Sequence, residues 1–241
     1  MLTIDFRHLP LTANEVVLDL GCGEGRHAIH MYLEEKVSVL AIDLNPADLA
    51  TAREKSLAFI NPADQHRQLF FQVADGRHLP FADNTFDSIV CSEVLEHIED
   101  YQHILQEIRR VLKPGGRLAV SVPRYWPEKI CWWLSDAYHQ VEGGHIRIFN
   151  AGELRRCIEK QGFGLQKRHW AHALHTPYWW LRCLFWQRQE EVGLIKLWHR
   201  LLVWDLMEKP RLTRSLEKLL NPLLGKSVVM YFRAHNKAPA P

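Results

Sequence analysis

The groups best suited to chemistry are a run of glycines, a set of acids at the ends of apolar runs, and two histidines. VLDLGCGEG, residues 17–25, closes an apolar stretch with Gly21, Cys22, Gly23, Glu24 and Gly25. A turn with so few Cβ atoms lets a ligand lie directly against backbone N–H groups and the N-terminus of a following helix. The G-x-G-x-G spacing departs from the G-x-G-x-x-G of a dinucleotide pyrophosphate site, which disfavours a nicotinamide cofactor. Asp43 ends the next apolar run, in AIDLNP, where a carboxylate can accept hydrogen bonds from both hydroxyls of a ribose. Asp75 and Gly76 follow a third run, in VADGRHLPF, and a carboxylate there can accept from an adenine amino group. Either aspartate alone also suits a helix or turn cap. The glycine turn and both aspartates in this order argue for one extended ligand.

Two histidines are the candidates for a general base, the group that would take a proton from a hydroxyl or an acidic carbon. His97 follows Glu93 by one helical turn, and His145 lies in GGHIRIF, with Tyr125, His139 and Glu142 behind them. His97 equally fits a helix cap or a surface position. His145 equally fits a packing strand, with Gly143 and Gly144 as a hinge beside it. Glu96 is expected to be solvated. No metal cluster shows ligand spacing, because His169, His172 and His175 fall where a strand runs into a loop and do not share a face.

The elements that must position these groups alternate between strand and helix, the pattern of βαβ units around a parallel sheet. Strands are expected at 16–21, 38–44, 69–76, 86–93 and 117–123, and helices at 26–35, 46–59 and 100–112. Asn45 and Pro46 give the second helix its cap and first residue, and Lys113-Pro114-Gly115-Gly116 reads as a turn. Residues 124–150 read as a lid-like insertion, followed by a helix over 151–161 and a sixth strand over 163–170. Two or three amphipathic helices span 178–220, a last strand spans 226–235, and NKAPAP is a frayed tail.

VLDLGCGEG, AIDLNP, VADGRHLPF, FDSIVCSEVLEHI and LKPGGRLAVSVP, in that order, resemble class I S-adenosylmethionine-dependent methyltransferases of the small-molecule and quinone-biosynthesis type. The resemblance covers about residues 15–125, and HIRIFNAGELRRCIEKQGF extends it to about 163. It implies an α/β fold with a doubly wound, seven-stranded, mostly parallel sheet whose last strand is antiparallel. S-adenosyl-L-methionine would be the cofactor. Position by position, it implies that Gly21, Cys22 and Gly23 wrap the amino-acid part of the cofactor, with Asp19 orienting the loop from beneath. Asp43 would hold the ribose, Leu44 would pack on adenine, and Asp75 with Gly76 would recognise the adenine rim. Ser92 and Glu93 would border the sulfur and the amino-acid tail.

Across 241 residues, 47% hydrophobic and 24% charged, the composition is globular and excludes fibrous or mostly disordered chains. A single domain is expected, with a cofactor half at 1–123, a substrate and helical region at 124–225, and the closing strand. Five scattered cysteines without a CxxC pair argue for reduced thiols. The start does not read as a secretory signal and no segment reads as a membrane span, so a cytoplasmic protein is expected. Residues 1–124 carry 12 Lys+Arg against 18 Asp+Glu, and the remainder 18 against 10, together with all nine tryptophans. Trp179, Trp180, Trp198 and Trp204 read as core. Alternatively the aromatic faces line a pocket for a lipophilic or aromatic acceptor, or lie on an anionic inner-membrane surface with Lys and Arg at the rim. Nucleic acid is disfavoured, since no binding module is present. Three functions are therefore weighed: methyl transfer to a small, hydrophobic acceptor; a membrane-associated accessory module that binds the cofactor without transfer; and, least favoured, a nicotinamide-dependent oxidoreductase.

Overall fold

The computed structural model describes residues 2–60, 67–141 and 143–236. The expectations for Glu142 and for the tail beyond residue 236 lie outside them. The chain forms β1 (Val16–Leu20), α1 (Arg26–His30, continued by a π-helical turn at Met31–Glu35), β2 (Ser38–Asp43), α2 (Pro46–Leu57), β3 (Leu69–Val73) and β4 (Phe86–Ser92). There follow α3 (Tyr101–Val111), β5 (Leu112–Pro123), α4 (Tyr125–Leu134), α5 (Asp136–Gln140), α6 (Ala151–Lys160) and β6 (Phe163–Ala171). The last elements are α7 (His175–Leu184), α8 (Gly193–Glu208), α9 (Arg211–Leu224) and β7 (Ser227–Ala234).

The seven strands form one sheet in the order β3-β2-β1-β4-β5-β7-β6. Pairing is parallel from β3 to β5, and β7 runs antiparallel between β5 and β6. The doubly wound sheet with an antiparallel last strand is thus as expected. The order reverses at β1 and β4, so the ends of those strands open a crevice where sheets of this kind bind ligands.

Local chemistry explains most boundaries. Asn45 accepts from the Ala47 N–H with Pro46 at the first helical position, as its sequence predicts. Asp100 caps α3 by accepting from His103. Lys113–Gly116 is not a free turn: the pairs Phe86–Leu112 and Ser88–Arg117 show β5 advancing five residues while β4 advances two. Those residues therefore bulge from the ladder, with Gly115 at φ +71°.

The sheet is covered on both faces. One core joins it to Ile104, Leu105 and Ile108 of α3 and Leu154 and Ile158 of α6. The other joins it to Ala28, Met31, Tyr32 and Leu49. A third cluster, away from the sheet, packs Trp132, Trp179, Trp180 and Trp186 around Cys131, Tyr138 and Cys183. The expectation that four tryptophans are core divides accordingly: Trp179 and Trp180 pack here, whereas Trp204 is 46% exposed at the surface.

Candidate functional site

The turn after β1 is built by three glycines in the left-handed region, Gly21 at φ +70°, Gly23 at +51° and Gly25 at +79°. Ile42 carbonyl accepts from both the Gly21 and Cys22 N–H groups at 2.9 Å, which ties the turn to the end of β2. The glycines differ in what surrounds them. A Cβ on Gly21 would lie 2.3 Å from Val94 Cγ2, and one on Gly25 2.9 Å from Ala52 Cβ, whereas one on Gly23 would meet nothing within 4 Å. Gly21 and Gly25 are glycines for packing; Gly23 opens a bare backbone cradle.

Asp43 stands beside that cradle. Its Oδ2 accepts from Gly23 N–H at 2.7 Å and its Oδ1 from Asn45 N–H at 2.9 Å. A carboxylate oxygen has two lone pairs, so each still has one to offer a ligand hydroxyl. The next residue, Leu44, is 60% exposed although apolar. Open backbone, a fixed carboxylate and an uncovered apolar side chain in a row fit the amino-acid, ribose and base parts of an adenosyl cofactor. Asp75 lies just past β3, but its carboxylate forms an ion pair with Arg77 at 2.7 Å, which holds it below the usual carboxylate range. Gly76 is packed under Ile104, whose Cδ1 a Cβ there would meet at 3.0 Å.

Asp19 is buried in β1 with Oδ2 lacking a hydrogen-bond partner among the described residues. Burial pushes its carboxyl up to about 7 against the opposing effects of the Ala28 N–H and Arg26. An acid whose pKa is higher folded than unfolded favours the fold below its ordinary value of 3.8, and that contribution is lost as pH rises to about 7. Asp19→Asn, free of ligand, should therefore melt higher than wild type at pH 8 by about 1–3 kcal/mol. The two should converge near pH 4, which thermal unfolding across that range checks.

At the ends of β4 and β5, Ser92 and Ser121 hydroxyls lie 2.9 Å apart, and Ser121 donates to Glu93 Oε1 at 2.7 Å. Glu93 itself sits at φ +58°, with its N–H held by the Ser121 carbonyl. Beyond it the chain makes one tight turn, Leu95–His97, and there the structure overturns an expectation. Glu96 is fully buried, not solvated. Its carboxyl is pushed well up by burial and by the neighbouring Glu93. His97 and His145 come together from opposite sides of the turn, ring centroids 4.9 Å apart. His139, by contrast, stacks on Trp132 at 4.0 Å, and Tyr125 is 44% exposed.

Two groups absent from the sequence reading complete this centre. Glu128 of α4, fully buried, accepts from His145 Nδ1 at 2.6 Å and from Lys226 at 3.0 Å. Burial raises the Glu128 carboxyl, but His145 and Lys226 outweigh it and hold it at about 2. Nothing local marks either residue, since the pair spans 98 positions. Elsewhere, His172 and His175 do converge, with Glu217 of α9, within 4.8 Å, whereas His169 stacks on Tyr231. The three histidines thus do not share one face, as expected, although two of them meet where α7 begins at His175.

Residues 18–120 match the methyltransferase domain family. Over 113 residues, 47% of the chain, it is 37% identical to 27-O-demethylrifamycin SV methyltransferase of Amycolatopsis mediterranei, spanning 40% of that protein. Over 115 residues, 48% of the chain, it is 37% identical to demethylmenaquinone methyltransferase of Corynebacterium urealyticum, spanning 44% of it. The chain thus matches less than half the length of these relatives. In fold it is similar to a solved S-adenosylmethionine-dependent methyltransferase of Methanosarcina mazei, with a TM-score of 0.62 and 17% identity over 98% of this chain and 100% of that one.

Proposed function

We propose that the protein, whose residues 18–120 match the methyltransferase domain family, transfers a methyl group from S-adenosylmethionine to a small, lipophilic acceptor. The observation that carries the reading is the bare cradle at Gly23 beside Asp43 and the uncovered Leu44. The cofactor, when bound, supplies an electrophilic methyl group. The protein's part is to hold that group in line with the acceptor and to exclude alternatives. Gly21, Cys22 and Gly23 would wrap the amino-acid end, Asp43 the ribose, Leu44 the adenine face, and Ser92 and Glu93 the far edge. Asp75 would meet the adenine rim on release from Arg77.

For the acceptor we favour the open groove between α4 and residues 146–148, about 600 Å³, lined by Tyr125, Trp132, Trp133, Ile146 and Arg147. Its aromatic walls and size suit a small organic molecule, and Ile146 adjoins His145 in the chain. Titration with S-adenosylhomocysteine by calorimetry tests the cofactor reading. Asp43→Ala should weaken binding by about 1.5–3 kcal/mol, tenfold or more. Unchanged affinity would remove the ribose assignment.

A specific observation also supports contact with an anionic membrane. On α9, Leu212, Leu216, Leu219 and Leu223 share one exposed face, flanked by Arg211, Arg214 and Lys218, and Leu197 and Met207 of α8 are exposed as well. That is the design of a helix lying in the lipid interface; among the described residues no helix is long and apolar enough to cross a bilayer. Wild type should float with phosphatidylglycerol vesicles, and Leu212→Asp/Leu219→Asp should not. Flotation without methyl transfer would favour an accessory module instead.

A further inference from the structure

None of His172, His175 and Glu217 belongs to the cofactor cradle or to the groove, yet the three converge. His172 directly follows β6 at φ +68°, a strained conformation for a residue with a Cβ. His175 opens α7, and its N–H donates to the His172 carbonyl at 3.1 Å. That link brings the two rings to 5.6 Å between centroids. Glu217 reaches them from α9, so that one donor atom from each of the three residues lies within 4.8 Å of the others. His175 Nδ1 and Glu217 Oε1 are buried without a hydrogen-bond partner among the described residues. Polar atoms so placed are costly unless something meets them. His172 is oriented by the N-terminal segment: its Nε2 lies 3.1 Å from Thr3 Oγ1, and a neutral ring whose Nε2 proton goes to that hydroxyl keeps a lone pair at Nδ1. Charge points the same way. Asp205 of α8, itself buried and accepting from the Thr213 hydroxyl, lies close enough to act on both His175 and Glu217. Arg214 is the cation that acts on Glu217, and more weakly than Asp205 opposes it.

We infer that His172, His175 and Glu217 bind one zinc ion at the junction of β6, α7 and α9, with water in the fourth place and Asp205 beside it. Two imidazoles and a carboxylate are a zinc donor set, and bonds of about 2.0–2.2 Å place tetrahedral donors about 3.3–3.6 Å apart. Closing the cluster to that spacing takes side-chain shifts on the order of an ångström. Two imidazoles select against magnesium and calcium, which take oxygen donors. The ion's work is to hold the two helices to the end of β6. Hydrogen bonds already run along that seam: Asn221 Oδ1 accepts from the Ala173 N–H at 3.0 Å, and the Leu224 carbonyl accepts from Thr176 Oγ1 at 2.6 Å. From its anchored end α7 carries Trp179 and Trp180 into the cluster in which Trp132 packs, and Trp132 is also a wall of the groove. The ion thereby braces the aromatic region behind that groove. The site rests on this chain's own donors and stands apart from the methyltransferase reading.

The test titrates the chelator-stripped full chain with Zn²⁺, by calorimetry and thermal unfolding, and with Co²⁺, by visible absorption. The intense bands of a tetrahedral cobalt site are expected, and a melting temperature that rises with Zn²⁺ concentration, since an ion that binds only the folded chain stabilises it. Glu217→Gln, isosteric and free of the charge, and His175→Ala should each lower the affinity of this equivalent a hundredfold or more and remove the zinc-dependent rise in melting temperature. Cooperative unfolding of either stripped variant separates lost binding from lost folding. Asp205→Asn, which removes a neighbouring charge and no ligand, should lower the affinity about tenfold. His97→Ala, which breaks the other facing pair of histidines, should leave this equivalent in place. The site is overturned if Zn²⁺ does not bind, if wild type, Glu217→Gln and His175→Ala bind it in equal number and affinity, or if His97→Ala alone loses it.

Discussion

Gly23→Ala should weaken cofactor binding a hundredfold or more in a protein that still folds, whereas Gly21→Ala should damage the fold itself. The contrast comes from what each added methyl meets. At Gly21 it would lie 2.3 Å from Val94 Cγ2, beneath the start of the Glu93–His97 turn, at a backbone φ of +70°. Left-handed strain of about 1–2 kcal/mol adds to an overpacking cost of about 1–3 kcal/mol. A loss of roughly 2–5 kcal/mol is therefore expected in denaturant unfolding. At Gly23 the strain is similar, but no atom lies within 4 Å. The methyl instead occupies the space in which the cofactor's amino-acid end would lie against the side-chain-free backbone of the turn. Affinity for S-adenosylhomocysteine should fall about a hundredfold or more, equivalent to roughly 2.7 kcal/mol, with stability reduced by only about 1–2 kcal/mol. Equal affinity in Gly23→Ala and wild type would place the ligand elsewhere.

The same contrast shows what was legible in the sequence. A glycine-rich turn at the end of a strand is a local feature, and so are the Asn45-Pro46 cap and the acid at the end of β2; each is written within a few residues and needed no knowledge of the fold. The doubly wound sheet, by contrast, was an implication of the family resemblance and not of these local features. What the sequence reading could not assign was decided by distance. Glu96 reads as a surface residue in SEVLEHIED, yet it is buried, in a turn to which the distant Ile146 N–H donates at the Glu96 carbonyl. Glu128 sits in an aromatic helix with no local partner, and the two groups that donate to it arrive from residues 17 and 98 positions away. Asp75 shows the opposite case. It is where a base-recognising acid belongs, yet a residue two positions on claims its carboxylate, and no pattern of strand ends reveals such a local ion pair.

Lys226→Met should be among the most damaging single substitutions in the chain although it replaces a charge with an apolar side chain of similar length. Lys226 reaches Glu128 across the start of β7, and its side chain is 13% exposed while that of Glu128 is fully buried. Removing one member of a buried pair leaves the other charge uncompensated, at a cost of about 3–5 kcal/mol. Here the orphan would be a carboxylate with His145 and Tyr138 alone to accept from. Glu128→Gln should cost less, since the amide still accepts from Lys226. The two losses should not add. In Lys226→Met/Glu128→Gln the orphaned Glu128 carboxylate is gone, so the double variant should recover about 1–3 kcal/mol relative to the sum of the singles. Denaturant melts of the four proteins measure that coupling directly. Additive losses would mean that Lys226 acts by packing its stem against Tyr138 and Trp179, over whose rings it lies at 5.9 and 5.4 Å, and that the ion pair does not organise this end of the sheet.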